Sequence, residues 1–118
     1  MVQTNPKIAV ENVENVAIVT LLGEKILEAM DVQALGDSIM PLVEKKDGIN
    51  LILDFSNVQF LSSSVLGLLI RISKKVYETG GQLRLCSIRD SIMEIFRITR
   101  LDKVFEIHPD REKALDSL

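Results

Sequence analysis

Short apolar runs alternate along this chain with segments whose apolar residues recur at three- and four-residue spacing. The runs are rich in Val, Ile and Leu, which favours buried strands, whereas the spaced pattern is typical of amphipathic helices. This order predicts an α/β fold in which about four helices pack against a mixed sheet of four to five strands. The first strand is expected at a sheet edge, and the second is expected to be buried on both faces. The predicted strands cover residues 7–11, 16–22, 49–55, 82–87 and 104–107, with a hairpin turn at 12–15, and the predicted helices cover 31–45, 64–79, 90–99 and the residues from 109 onward.

Several residues mark where these helices begin and end. Asp31 and Asp90 are predicted to cap the first and third helices, because an aspartate at that position accepts a hydrogen bond from a free backbone amide. Gly80 and Gly81 are predicted to end the second helix, since glycine readily adopts the left-handed conformation of a helix C-terminus. Pro41 is expected to kink or weaken the last turn of the first helix, because it has no amide donor.

Composition and charge limit the classes of function. A chain of 118 residues with 47% apolar content predicts one domain over residues 1–118. The net charge of -3 argues against nucleic acid and anionic membranes as partners, because both attract an excess of Lys and Arg. Arg71, Lys74 and Lys75 interrupt the longest apolar stretch, so no membrane-spanning helix is expected. The single cysteine, Cys86, can form no internal disulfide and the sequence shows no secretory signal, so we expect a cytoplasmic protein.

Three consecutive serines, Ser62, Ser63 and Ser64, lie at the start of the second predicted helix. A helix N-terminus exposes unpaired amides and the positive end of the helix dipole. A serine there caps the helix, and the same place favours a phosphate group. Position alone leaves both roles open, and capping is the ordinary explanation because serine is a preferred capping residue.

Two motifs place this chain beside a known family. The first motif surrounds the serines and consists of Asp54, Ser56, Phe60, Leu61, the serine turn, Leu66 and Gly67. The second is the segment 95–115, which is similar to the closing helix, strand and helix of the same family. Together the motifs resemble the STAS family, and specifically its bacterial anti-sigma factor antagonists, over nearly the full chain.

The resemblance implies a phosphorylation switch. In that family the middle serine of the turn is phosphorylated by the anti-sigma factor, which is itself a serine kinase. The matching residue is Ser63, with Ser62 and Ser64 as alternative acceptors. The resemblance also implies that the unphosphorylated form binds the anti-sigma factor and frees the sigma factor, and that a phosphatase resets the switch. Many members carry Asp before the phosphorylated serine and Gly two positions after it, whereas this chain has Ser62 and Val65, a difference that bears on kinase recognition.

The second predicted helix indicates where a partner docks. One face of it is predicted to lie against the sheet, and this face consists of Val65, Leu68, Leu69, Ile72 and Val76. Leu66, Ile70 and Tyr77 form a second apolar stripe beside the serines, which is either covered by a neighbouring helix or open as a docking surface. The predicted partner-binding set consists of Asp54, Ser56, Ser62, Ser63, Ser64, Leu66, Gly67 and Ile70.

Other chemically reactive side chains are predicted to have structural roles. Asp54 invites comparison with the phosphate-accepting aspartate of a receiver domain, but the acidic pair and the lysine of such a site are missing. His108 has no Cys or His at ligand spacing, so neither a metal nor another cofactor is predicted. Cys86 is expected to be a small core residue. No partner base accompanies the serines, so the chain is not expected to be an enzyme.

Two functions of different classes therefore remain open. The first is a regulator that competes with a sigma factor for an anti-sigma factor. The second is a constitutive scaffold, a STAS-like subunit of a larger signalling or transport assembly that uses the same surface without being phosphorylated. Neither alternative requires catalysis by this chain.

Overall fold

The apolar runs form strands and the spaced patterns form helices, which confirms the predicted α/β fold class. The computed structural model describes residues 2–4 and 7–118 of the chain. The strands are β1 (Val2–Thr4), β2 (Ile8–Val13), β3 (Val16–Leu21), β4 (Lys25–Ile26), β5 (Asn50–Asp54), β6 (Phe60–Leu61), β7 (Gln82–Cys86) and β8 (Ile107–His108). The helices are α1 (Ala29–Lys45), α2 (Ser63–Glu78), α3 (Asp90–Ile98) and α4 (Arg111–Asp116), with a 3-10 turn at Leu101–Lys103.

Six strands make one mixed sheet in the order β1-β2-β3-β5-β7-β8, and β4 pairs with β6 in a separate parallel ribbon. The pairs β1/β2 and β2/β3 are antiparallel, whereas β3, β5, β7 and β8 run parallel to their neighbours. Parallel neighbours need long crossover connections, and α1, α2 and α3 lie in these connections. The C-terminal ends of the parallel strands consequently share one edge, where the segment that leads to the serines leaves β5.

The sheet is buried on both faces. Apolar side chains of α1, α2 and α3 form the main core with one face. On the other face, Ala114 of α4 packs with a smaller apolar cluster. Strand β3 contributes Val19 to the main core and Ile18 to the smaller cluster, so the predicted burial of this strand on both faces is confirmed.

The start of the sheet differs from the prediction. The strand predicted at the edge is an inner strand, because β2 pairs with β1 on one side and β3 on the other. The β1 segment is short and contains polar residues, so its sequence lacks a strand pattern. The hairpin turn is confirmed, since Glu14 and Asn15 adopt positive φ angles of 48° and 70°, as a tight two-residue turn between twisted strands requires.

Two predicted N-caps lie inside the first turns of their helices. Glu28 is the N-cap of α1, and Asp31 is the residue whose carboxylate accepts a 3.3 Å hydrogen bond from the Glu28 amide. Arg89 is the N-cap of α3, and Asp90 is its first helical residue. The two positions are hard to separate by sequence, because an acidic residue stabilises a helix N-terminus from either one. The predicted end of α2 is confirmed by Gly80, whose φ of 83° is left-handed.

The predicted final strand exists, but it is shorter and lies later than the predicted 104–107, at Ile107–His108. The chain forms the 3-10 turn before this segment, Val104 is exposed, and only Ile107 and His108 pair with β7. Helix α4 begins at Arg111, after Asp110 accepts a 2.8 Å hydrogen bond from the amide of Lys113. The Phe105 amide donates to the Leu101 carbonyl at 3.0 Å and its ring packs edge-on against Phe96 in the main core, so the chain joins the sheet only after this residue.

Helix α1 continues through Pro41 to Lys45. Within residues 2–4 and 7–118, none of the helices combines the length and the apolar character that crossing a membrane requires.

Candidate functional site

The serine turn sits at the start of α2, directly after the β4/β6 ribbon. Ser62 is the N-cap in an extended conformation, with φ -89° and ψ 163°, and Ser63 is the first helical residue. The Ser62 amide donates to the carbonyl of Ile26 at 3.0 Å, and the Ser62 carbonyl accepts from the Val65 amide at 3.0 Å. These two bonds tie the turn to the ribbon on one side and to the helix on the other.

The three serines are not equivalent. The Oγ of Ser62 is shielded from solvent and has no hydrogen-bond partner among the described residues, so it does not cap the helix. Ser63 and Ser64 are exposed. Their amides belong to the first turn of α2, where no helical carbonyl precedes them as an acceptor. The exposed hydroxyls therefore lie beside free amide donors and the positive end of the helix dipole.

Three large exposed apolar side chains lie on the segments that adjoin the serine turn, Leu27 and Phe60 at the β4/β6 ribbon and Met30 in the first turn of α1, and they are called the apolar patch below. Met30 is 82% exposed, and Leu27 and Phe60 are about half exposed. Leu27 follows Ile26, which pairs with Leu61 in the ribbon, and Phe60 lies next to Leu61. The Nζ of Lys25 lies 5.9 Å from the centre of the Phe60 ring. Large exposed apolar side chains on neighbouring segments favour an interaction surface.

The outward face of α2 continues this surface away from the serines. Ser63, Gly67 and Ile70 are exposed at helical spacing, so they share one face. A side chain at Gly67 would meet nothing within 4 Å, which leaves this face flat and open. Tyr77, farther along, is half exposed and donates to the Leu83 carbonyl at 3.4 Å.

Leu66 does not belong to the exposed stripe. It is only 4% exposed and lies in the main core, so its assignment to the docking surface is wrong. Val65 faces the core as predicted. A helical-wheel projection of the sequence gives the direction in which a side chain points, but it does not show how far the neighbouring elements extend along the helix. The first turn of α2 is enclosed at Leu66, whereas Ile70 on the same stripe stays exposed.

A groove of about 530 Å³ separates the N-terminal halves of α1 and α2. Ser64, Arg71 and Asp37 line it. The two helices approach closely below it, because a side chain at Gly36 would come within 3.0 Å of the Leu68 Cδ1. The groove thus opens beside the serine turn and has one acidic and one basic side chain on its walls.

Asp54 ends β5 and is 5% exposed. Its Oδ1 accepts from the Ser56 amide at 2.8 Å, and its Oδ2 accepts from Arg111 Nη2 at 3.1 Å. Ser56 itself is exposed. The carboxylate is therefore committed to a turn and to an ion pair, which argues against the phosphate-accepting role of a receiver aspartate.

The family model that describes the STAS domain matches residues 7–114, which is most of the chain. The chain belongs to the STAS domain family. An anti-sigma F factor antagonist from Paenibacillus polymyxa is 25% identical over 114 residues, covering 97% of this chain and 96% of the relative. This finding agrees with the resemblance seen in the two sequence motifs.

Solved STAS structures share the fold. An anti-sigma-factor antagonist domain from Planctomyces limnophilus superimposes with a TM-score of 0.85 at 22% identity, covering 93% of this chain and 96% of the other. The Bacillus cell fate determinant SpoIIAA in its phosphorylated form superimposes with a TM-score of 0.68 at 17% identity, covering 93% and 97%.

Cys86 and His108 lie side by side on the neighbouring strands β7 and β8 of this STAS domain. Cys86 is fully buried, and burial, together with the nearby charge of Asp54, raises the pKa of its thiol to about 11. The thiol is therefore protonated at neutral pH, which fits a core residue. His108 Nε2 lies 3.7 Å from Glu106 Oε2. In the part of the chain that the structure describes, no three His, Cys, Asp or Glu side chains are grouped as metal ligands would be.

Sequence analysis of this STAS domain did not identify the apolar patch, the β4/β6 ribbon or Arg111. The ribbon strands have two residues each, which is too short for a detectable pattern. Met30 and Phe60 are visible in the sequence as large apolar residues, but only the structure shows that their side chains are exposed. Arg111 is 57 positions from Asp54 in the sequence, so no local signal joins them.

Proposed function

We propose that this STAS domain is an anti-sigma factor antagonist. In its unphosphorylated form it binds an anti-sigma factor that is a serine kinase, and this binding releases the sigma factor. Phosphorylation of Ser63 blocks the complex, and a phosphatase restores it. The chain itself acts by binding and not by catalysis, in the cytoplasm where sigma factors work.

One observation supports this proposal above the others: an exposed serine opens a helix beside an exposed apolar patch. The hydroxyl of Ser63 is accessible to a kinase, and the helix N-terminus stabilises the phosphate once it is added. The apolar patch is a surface that a partner would cover. The Paenibacillus polymyxa relative, described as an anti-sigma F factor antagonist, and the phosphorylated form of SpoIIAA support the same cycle.

The geometry also favours Ser63 over its neighbours as the phosphate acceptor. The Ser62 Oγ is shielded from solvent, so a kinase would have to open the turn to reach it. Ser64 is exposed but points toward the groove between α1 and α2, which it lines. Ser63 shares the outward face with Gly67 and Ile70, and the space over this face is open at Gly67.

Phosphorylation is expected at Ser63 when the protein is incubated with ATP and the serine-kinase anti-sigma factor of the same genome. Ser63→Ala should abolish incorporation, whereas Ser62→Ala and Ser64→Ala should retain it, because their hydroxyls are not the accepting group. Phosphopeptide mapping by mass spectrometry distinguishes the three sites. Incorporation into Ser63→Ala at the wild-type level would show that the acceptor is misassigned.

Loss of a patch side chain is expected to weaken the complex without unfolding the domain. Met30→Ser should raise the Kd for the anti-sigma factor about tenfold or more, which corresponds to the loss of at least about 1.4 kcal/mol expected for an apolar side chain at the centre of an interface. Its thermal midpoint should change little, because Met30 is 82% exposed in the free protein.

Ile98→Ser is the matched control, because Ile98 is 80% exposed at the end of a different helix, α3. It should leave the Kd unchanged. Equal effects of the two substitutions on binding, measured by calorimetry, would show that the patch is not the docking surface.

A further inference from the structure

Arg111 joins the C-terminal helix to three strands of the sheet. Its Nη1 donates to Glu11 Oε2 at 2.9 Å, and its Nη2 donates to Thr20 Oγ1 at 3.2 Å and to Asp54 Oδ2 at 3.1 Å. These partners lie on β2, β3 and β5. Glu11 is partly exposed, whereas the Asp54 side chain is almost fully buried, so the bond to Asp54 is the one that compensates a desolvated charge.

Asp54 transfers this constraint to the segment that leads to the serines. While Oδ2 accepts from Arg111, Oδ1 accepts from the Ser56 amide and closes a turn right after β5. Without the guanidinium, the buried Asp54 carboxylate would keep one hydrogen bond among the described residues, from the Ser56 amide, and would have no positive charge beside it. Rotation of the carboxylate toward water would then be favoured because it restores hydration of the charge, and the turn that the carboxylate closes would loosen.

A displacement of the Ser56 turn would be transmitted to the serine turn, because successive backbone hydrogen bonds hold the segment between them. The Val58 amide donates to the Phe55 carbonyl at 2.9 Å, and both side chains are fully buried. The Phe60 amide donates to the Glu24 carbonyl at 3.0 Å, and the Ser62 amide donates to Ile26. No stretch between Asp54 and Ser62 is a free loop that would absorb movement.

We propose that Arg111 is a positioning residue for the serine turn. It acts through Asp54 and the Ser56 turn to fix the place from which Ser63 is presented to the kinase and to the partner. The inference rests on the proposed function for its functional readout, and it assigns to the C-terminal helix a role at a site on the other side of the sheet.

Holding α4 on the sheet does not by itself account for Arg111. At the far end of the same helix, Arg84 Nε donates to Ser117 Oγ at 2.8 Å and Arg84 Nη2 donates to the Ser117 carbonyl at 3.3 Å. Ala114, between Arg111 and Ser117 in the sequence, is fully buried against the sheet. Arg84 is thus a second tether of α4, and its hydrogen-bond partners, Gln82, Leu83 and Ser117, lie outside the segment that leads to the serines.

The experiment compares Arg111→Gln with Arg84→Gln in the full chain, at a temperature where both variants are folded. Amide hydrogen exchange by NMR should be at least about tenfold faster at Ser56 in Arg111→Gln than in wild type, and unchanged there in Arg84→Gln. The kcat/KM for phosphorylation of Ser63 should fall about tenfold in Arg111→Gln alone, because small misplacements of a reacting group are costly. Equal changes in both variants, or none in either, would overturn the proposal.

A substitute variant and a readout that does not depend on the kinase complete the experiment. If Arg111→Gln does not fold, Arg111→Lys takes its place, since a lysine keeps the charge but cannot donate in the same forked geometry to all three partners. If wild type is neither phosphorylated nor bound, the proposed function fails. Exchange at Ser56 still tests whether Arg111 fixes the turn.

Discussion

Leu66→Ala is expected to lower the free energy of unfolding by about 2–5 kcal/mol, the usual cost of truncating a buried leucine. Leu66 is 4% exposed and belongs to the main core although it lies three residues from the exposed Ser63. Alanine has the higher helix propensity, so the loss would come from the cavity and the lost apolar burial and not from a weaker helix. Chemical denaturation followed by circular dichroism measures it.

Ile70→Ala is the matched control on the same stripe of α2. Ile70 is 45% exposed, so its truncation should cost well under half as much as that of Leu66. Similar small losses for both substitutions would mean that Leu66 is accessible, as the wheel projection of the sequence suggests. In that case the boundary drawn between core and docking surface would be wrong.

Phosphorylation of Ser63 is expected to weaken anti-sigma factor binding by about 100-fold, which corresponds to about 3 kcal/mol. The phosphate adds about -1.5 to -2 charges at neutral pH. In the free protein this charge is hydrated and faces the positive end of the α2 dipole, so folding is not opposed. In the complex it would lose water against a surface that covers the apolar patch, and its charge would be incompletely paired.

Ser63→Asp should affect folding stability and partner binding in the same directions as phosphorylation, but by smaller amounts. Its carboxylate is favoured at the helix N-terminus by about 0.3–1 kcal/mol, so the thermal midpoint should hold or rise. Binding should weaken, but less than with phosphate, because aspartate carries less charge and fewer acceptor oxygens. A mimic that destabilises the fold would show that Ser63 is not at an open helix start.

The order of the helices and of the longer strands, and the location of the serine turn, could be predicted from the sequence because they depend on local patterns. Apolar runs predict the strands β3, β5 and β7 to within one residue at either end. Gly80 and the serines mark the two ends of α2 because the backbone conformations that end and begin a helix favour these residue types.

The features that needed the structure depend on contacts between distant residues. The ion pair of Arg111 with Asp54 arises only when the sheet brings the two segments together. The exposure of Met30 and Phe60 likewise depends on which neighbours the fold packs around them. The burial of Leu66 has the same origin, since the sequence gives the angle of a side chain but not the extent of its neighbours. Short strands such as β8 are likewise set by pairing and not by their own composition.

Isothermal calorimetry on the unphosphorylated and the Ser63-phosphorylated protein, each titrated with the serine-kinase anti-sigma factor of the same genome, tests the central claim most directly. Melting curves of both forms establish that each is folded. We predict a tight complex for the unphosphorylated form and a Kd about 100-fold higher for the phosphorylated form. Equal or tighter binding of the phosphorylated form would contradict the switch and would favour a constitutive scaffold that uses the same surface.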